Sequence, residues 1–527
     1  MKRRGRTRAK PRPDPRDTEA ALQAIGADEL RGVVRDLLPW LDAATHARLA
    51  NALVDRAARS CADWAPPTPS DAAVAEVEAF AASARRAGAA EPSEVDACLR
   101  LATNAFLARS YPAAVRMFGA LLVPIGTADI DLGQAELVEE VLGVDVADCA
   151  TQYVVAVYMT SPPRERAKAV LEAIDDMGCL DPFWEPLHAM ERAAIEPLPG
   201  LDEFIPQWRQ LVERRASRSR RSQWDSTEDR WLREVVARVD GSAGLADVAR
   251  ASGRADDLRA WCSALAEAGD WTGALAAYDE AAELVGDDEY SRGTFLDGAA
   301  LAAQQVGRAD LPDRLERAWR AAPSLVRLQR WLGTATSKSA LLDLAGRALS
   351  GCPERAARQR AFLHHLQGNL PACAALLAAA DGLGWSDPDH PGKLAFPLLL
   401  NVLSGRPLPD TPLTADEELE LFLARDEPRL AISTLAALVA LADVTAATGS
   451  ASRRVCIAAL RAAAEKRIAG VTGEKRRSHY GHAASLALAC AAVDETARGR
   501  EWLANIRYEY GRYPALQREL QGAAGGE

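Results

Sequence analysis

The residues best suited to chemistry lie in a few short clusters. Lys475, Arg476 and Arg477 run into His479 and His482, with the histidines three apart. Two imidazoles are an incomplete ligand set for zinc, which takes four ligands in structural sites. The cluster reads instead as a basic helix start able to contact an anion or a partner. Asp129, Asp131 and Glu140 occupy positions 1, 3 and 12 of a calcium loop. The turn glycine falls one place early, at Gly133 where Gln134 should be glycine, so an acidic loop with a capped helix start is the plainer reading. His364 and His365 are adjacent, and their side chains leave a helix on different faces, one toward the core and one toward solvent.

Arg214, Arg215, Arg218, Arg220 and Arg221 form the main internal basic run, flanked by Trp208, Trp224 and Trp231. Arginine interleaved with aromatics is a pattern for single-stranded nucleic acid, where bases stack on rings. The competing reading places Trp208 and Trp231 on amphipathic helices as packing residues. The chain has no GxxxxGK[ST], no strand-led GxGxxG, no HExxH and no GxSxG. No spacing singles out a nucleophile, a catalytic base, a metal shell or a cofactor cradle. The expectation is a protein without catalytic residues, metal or cofactor.

The elements that would position these clusters are helices. Hydrophobic residues make up 48% of the 527 and aromatics only 6%, with alanine dominating, which favours all-α over all-β. Lysine and arginine number 63 against 74 acidic residues, a net charge of −11. Residues 1–16 nonetheless hold eight basic residues and only Asp14, so the body is more acidic still. That balance argues against a general nucleic-acid-binding face. The nine cysteines show no CxxC or CxC spacing and read as reduced residues of a cytoplasmic protein. No apolar run is long enough to span a bilayer.

The organising stretch is Leu258–Leu284, two short helices joined at Gly269-Asp270. Its second helix carries Trp271, Ala274, Tyr278 and Ala281, and Tyr111, Ala114, Phe118 and Leu121 repeat the same spacing. Residues 357–380 form a further echo. Small residues at these offsets sit where helices cross, and large ones where the pair closes. Ala150–Tyr158 is apolar on all sides and is expected to be a buried helix. Residues 416–447 and 452–468 are expected to be long helices.

Leu258, Trp261, Cys262, Leu265, Gly269, Ala274, Tyr278 and Ala281 together resemble a tetratricopeptide unit. The resemblance implies an irregular α-solenoid of helix-turn-helix repeats that binds protein or peptide partners in a groove. On that reading Arg259 and Ser263 face the groove, with Glu267 near its rim. Two further segments are similar to helical regions of uncharacterised bacterial proteins that follow SWIM-type zinc fingers. One runs from Asp129-Ile-Asp-Leu-Gly through Val154–Tyr158 to Ser161–Ala167. The other runs from Lys475–Ala483 to Trp502-Leu503, Ile506-Arg507 and Tyr513–Leu516. The CxC and CxH pairs of that zinc finger are absent, so its function does not carry over.

The expected organisation is a disordered basic tail (1–18), an N-terminal helical-repeat region (19–212), an Arg-rich linker (213–228), a C-terminal tetratricopeptide-like region (229–521) and a disordered tail (522–527). The expected function is a bacterial cytoplasmic interaction scaffold. The alternative is a nucleic-acid-associated accessory protein working through the basic tail and the Arg214–Arg221 run. Neither involves a membrane.

Overall fold

The computed structural model describes residues 15–60, 64–135, 137–180, 182–219, 225–405, 428–444, 450–494 and 496–522. Among them the chain is all-α, and the single extended pairing is an isolated bridge between Ala89 and Asp131. No described helix is long and apolar enough to cross a membrane. Two compact units are present, Met1–Arg238 and Val239–Glu527.

The first unit carries α1 (Pro15–Ala24), α2 (Ala27–Leu37), α3 (Ala43–Ser60), α4 (Asp71–Ala87), α5 (Pro92–Leu107), α6 (Tyr111–Gly126), α7 (Val146–Thr160), α8 (Arg166–Asp176), α9 (Pro186–Ala193) and α10 (Leu201–Ser219). Ser70 caps α4, its hydroxyl accepting the Ala73 N–H at 3.2 Å. The apolar segment Ala150–Tyr158 lies within α7 and is buried there against α5, α6, α8 and α9. It has no polar face because neighbours surround it. Residues 213–219 of the Arg-rich segment are the last turns of α10. α11 (Thr227–Ser252) is interrupted by Gly241, at φ 61° and ψ −151°, near the boundary between units.

The second unit begins with α12 (Ala255–Glu267), α13 (Trp271–Leu284), α14 (Glu289–Gln305), α15 (Leu311–Ala321), α16 (Leu325–Leu332), α17 (Lys338–Gly351), α18 (Ala357–Leu366) and α19 (Leu370–Ala379). It continues with α20 (Gly392–Ser404), α21 (Leu435–Ala442), α22 (Ser450–Gly473), α23 (Tyr480–Val493), α24 (Ala497–Glu509) and α25 (Pro514–Gly522). Of the long helix expected over 416–447, residues 416–427 and 445–447 lie outside the described residues; within 428–444, residues 428–434 are not helical and α21 follows. Thr434 starts that helix by accepting the Ala437 N–H.

Consecutive helices pack on one another: α12 on α13, α13 on α14, α14 on α15, α18 on α19. In the pair α12–α13, Leu258, Trp261, Cys262, Ala274, Ala277 and Ala281 are all buried. Tyr278 leans on α14 at Gly298, where an added Cβ would sit 2.4 Å from the ring. The large residue thus closes the hairpin against the next helix.

The turns share one geometry. At Arg109, Ala128, Gly269, Gly307, Gly368 and Lys475 the backbone is left-handed, with φ between 55° and 74°. In each, the next residue's N–H reaches back five residues to a helix carbonyl, as in Asp270 to Leu265 and Arg476 to Val471. This is the Schellman arrangement, which satisfies carbonyls that the helix end leaves bare. A different constraint acts at Gly126, where an added Cβ would lie 1.7 Å from the Met177 carbonyl oxygen. Gly269→Ala should lower the stability of the second unit by about 1 kcal/mol through the left-handed backbone. Gly126→Ala should cost the first unit about 1–3 kcal/mol through overpacking. Urea unfolding of the full chain measures both.

Candidate functional site

The site is built from a loop and a helix turn within the second unit. The loop, Asp381-Gly-Leu-Gly-Trp-Ser-Asp-Pro-Asp-His390, is pinned at several points. Gly382 lies so close to α22 that an added Cβ would meet the Lys466 carbonyl at 2.0 Å. His390 Nδ1 accepts the Gly392 N–H at 3.0 Å, which leaves Nε2 to donate to the Asp381 carbonyl at 2.9 Å. Arg358, on α18, donates to the carbonyls of His390 and Asp387. Burial pushes the Arg358 pKa down, and Asp387 and Asp389 partly offset it. These bonds hold Trp385 inside, only 5% exposed, with its ring 5.3 Å from His390 and 6.1 Å from Phe396.

The facing wall comes from the turn between α22 and α23. Lys475 takes φ 55°, and Arg476, the 3-10 turn Arg477–His479 and the first turn of α23 follow. The histidines at 479 and 482 are thereby brought to the same side as Trp385, with the His482 ring edge-on to the indole at 5.0 Å. A cavity of about 320 Å³ results, lined by Trp385, Lys393, Arg467, Arg476, His479 and His482 beside the Gly384–Ser386 backbone.

The electrostatics of this cavity are one-sided. Among the described residues, no carboxylate lines it. Among the described residues, no ion pair is formed by Lys393, Arg467 or Arg476. The Arg467 residue is 6% exposed. Its Nη1 donates to the Gly382 carbonyl at 3.2 Å, but its Nε is buried without a hydrogen-bond partner. The Trp385 Nε1 is likewise buried and unpartnered. Burial, and then the charge of Arg476, pushes the Arg467 pKa down. His482 is held down to about 4, first by desolvation of the ring and then by Arg467, His479 and Lys393. A second cleft of about 600 Å³, between α14 and α16, makes a contrast. There Arg327 and Arg330 pair with Asp297 at 2.8 and 3.2 Å, and Arg355 pairs with Glu289 at 3.2 Å.

Of the cluster seen in sequence, Arg476, His479 and His482 line the cavity, whereas Lys475 and Arg477 are exposed outside its lining. Trp385, Lys393 and Arg467 escaped sequence reasoning. The tightly spaced glycines around Trp385, and a lone arginine entering the apolar run Ile468–Val471, were the available signals.

The other candidates are placed elsewhere. Arg259 and Glu267 are exposed on α12, with Arg259 paired to Asp256, and Ser263 is half-buried beside Tyr278. Arg214 bonds the Gln210 carbonyl, Arg215 pairs with Asp175 at 2.9 Å, and Arg218 is exposed. Arg220, Arg221, Trp224 and the basic residues 1–14 lie outside the described residues. Trp208 and Trp231 are buried with ring centroids 5.8 Å apart, so they are packing residues. Asp129 pairs with Arg85, and Asp131 bonds the Gly133 N–H within its own turn. Among the described residues no three His, Cys, Asp or Glu side chains converge on a possible metal position. His364 is half-buried, and His365 is fully buried with neither ring nitrogen bonded.

No family model, curated protein sequence or solved structure matches this chain.

Two titrations follow from these environments. In ¹³C-histidine-labelled protein, the resonance missing from His482→Gln should titrate near pH 4, below the ordinary 6.5, and Lys393→Gln should move that midpoint upward. Burial also lowers His365 from 6.5 to about 4. Its stability contribution is therefore intact above pH 6.5 and is lost as pH falls toward 4. Removing the two buried orphan nitrogens with His365→Leu should stabilise the protein by about 1 kcal/mol at pH 7. The decline in melting temperature toward pH 4 should also become shallower.

Proposed function

We propose that this chain is a non-catalytic binding protein whose second unit recognises an acidic group on a protein partner through the Trp385–Arg467–His482 cavity. The observation that carries the reading is a cavity where, among the described residues, three cationic side chains form no ion pair and no carboxylate lines the wall, in a protein of net charge −11. In the α14–α16 cleft, by contrast, Arg327, Arg330 and Arg355 each pair with an acid. Cations held close together without counterions repel one another, and an arriving anion relieves that repulsion.

In this reading the architecture is an irregular tetratricopeptide-like solenoid in a bacterial cytoplasm, with the protein acting as a scaffold. The stacked hairpins and their common left-handed turn support it. Arg259, Ser263 and Glu267 then belong to a secondary contact face. The nucleic-acid reading is less well supported, because Arg215 is engaged by Asp175 and the paired tryptophans are buried.

The test uses immobilised full-length protein and lysate from the source organism. Wild type should retain a discrete acidic protein after nuclease treatment, and Lys393→Glu combined with Arg476→Glu should lose it. Both positions are exposed, and an unchanged circular dichroism spectrum checks the fold. Equal capture by wild type and variant would refute the cavity as the recognition point. Nuclease-sensitive capture would favour the nucleic-acid reading.

A further inference from the structure

The cavity's chemistry narrows the acidic group, granting the reading above that it takes an anion. We infer that the cavity binds the phosphate of a phosphomonoester, with the ester's organic part against Trp385 and His482.

The first argument is charge. Lys393, Arg467 and Arg476 bring three cationic side chains to one cavity that no carboxylate of the described residues lines. A single carboxylate would neutralise one of them. A phosphomonoester brings a charge of about −1.5 to −2 at neutral pH.

The second argument is the donor set. The exposed Arg476 fork and Lys393 ammonium, with the largely buried Arg467 guanidinium beside them, bring several N–H donors to the cavity, and guanidinium forks pair with phosphate oxygens by parallel bonds. A phosphate group offers three strong acceptor oxygens to such a set. A carboxylate offers two, on one plane.

The cavity also has room for an organic substituent. The volume of about 320 Å³ is at the lower end of the range for small-molecule pockets, about 300–1,000 Å³, and exceeds what a bare inorganic ion needs. The indole and imidazole rings supply an apolar wall for a flat or aliphatic substituent. Arg467 also ties the loop to α22 through the Gly382 carbonyl, so the cation nearest the tryptophan is fixed before a ligand arrives. A preorganised donor loses less side-chain entropy on binding.

The shared chemistry has two sources, a free phosphate ester or a phosphorylated side chain of a partner. Calorimetry on the full-length protein at constant ionic strength separates them. The probes are phenyl phosphate, benzoate, inorganic phosphate, and a phosphotyrosine peptide with its unphosphorylated counterpart. Phenyl phosphate should bind with one-to-one stoichiometry and about tenfold or more tighter than benzoate, as expected from additional charge-assisted hydrogen bonds. Lys393→Gln and Arg476→Gln should each weaken it about fivefold or more without lowering the melting temperature of the free protein. Arg467→Lys, which keeps the charge and loses the fork, should weaken it by a similar factor. A phosphopeptide that binds tighter than phenyl phosphate supports the proposal with a protein as the source. Equal affinities support it with a free ester. Benzoate binding as tightly as phenyl phosphate, with both lost in Lys393→Gln, would overturn the phosphate assignment and leave the acidic-group reading intact. Phenyl phosphate binding that is indifferent to Lys393→Gln and Arg476→Gln would overturn this assignment to the cavity. No binding of any anion to wild type would overturn both.

Discussion

The structure depends on how each helix is ended. A helix leaves its last carbonyls without partners, and a buried array cannot supply water to each of them. At six described turns the chain answers with one left-handed residue and a hydrogen bond reaching back five residues. That turn reverses the chain within a few residues, so the next helix returns against the one it left. Glycine takes this backbone freely at 269, 307 and 368. Arg109, Ala128 and Lys475 take it against the preference of a Cβ, so surrounding packing must hold them there.

The Lys475 turn links this constraint to the cavity. If α22 frayed gradually into solvent, Arg476 would point away from Trp385. The left-handed residue instead sends the chain back, and the 3-10 turn sets His479 before α23 begins. The opposite wall is fixed by other means: a glycine pressed on a carbonyl, a histidine bonded through both nitrogens, and Arg358 gripping two loop carbonyls. The cavity is thus a meeting of two rigid turns. Asp381, Asp387 and Asp389 of the loop and Glu474 of the turn are not among the residues that line it, whereas Asp297 and Glu289 line the α14–α16 cleft.

Much of the local structure was legible in the chain. The apolar Ala150–Tyr158 announced a buried helix, and Gly269 announced a hairpin turn. Each rests on a local rule: a face without polar residues, a backbone free of Cβ sterics. Over 428–434 the expected helix is absent for a related reason. Periodicity across Leu430–Val444 does not separate a helix from an apolar connector that is buried by its neighbours, and Leu430 is buried without being helical.

The sequence by itself determined that the chain is helical, that its turns fall at particular glycines, and that Arg476, His479 and His482 share one turn. Neighbours along the chain decide those features. Tertiary structure decided that Trp385, Lys393 and Arg467 complete a cavity with that turn, because these residues lie far apart along the chain. It also decided that Trp208 and Trp231 are packing residues, since the same ring on the same helix face can meet solvent or another ring. Charge made the final distinction. An arginine in a sequence is a cation everywhere, and only the fold determines whether an aspartate stands beside it, as at Arg327, or the wall of a cavity lined by further cations, as at Arg467.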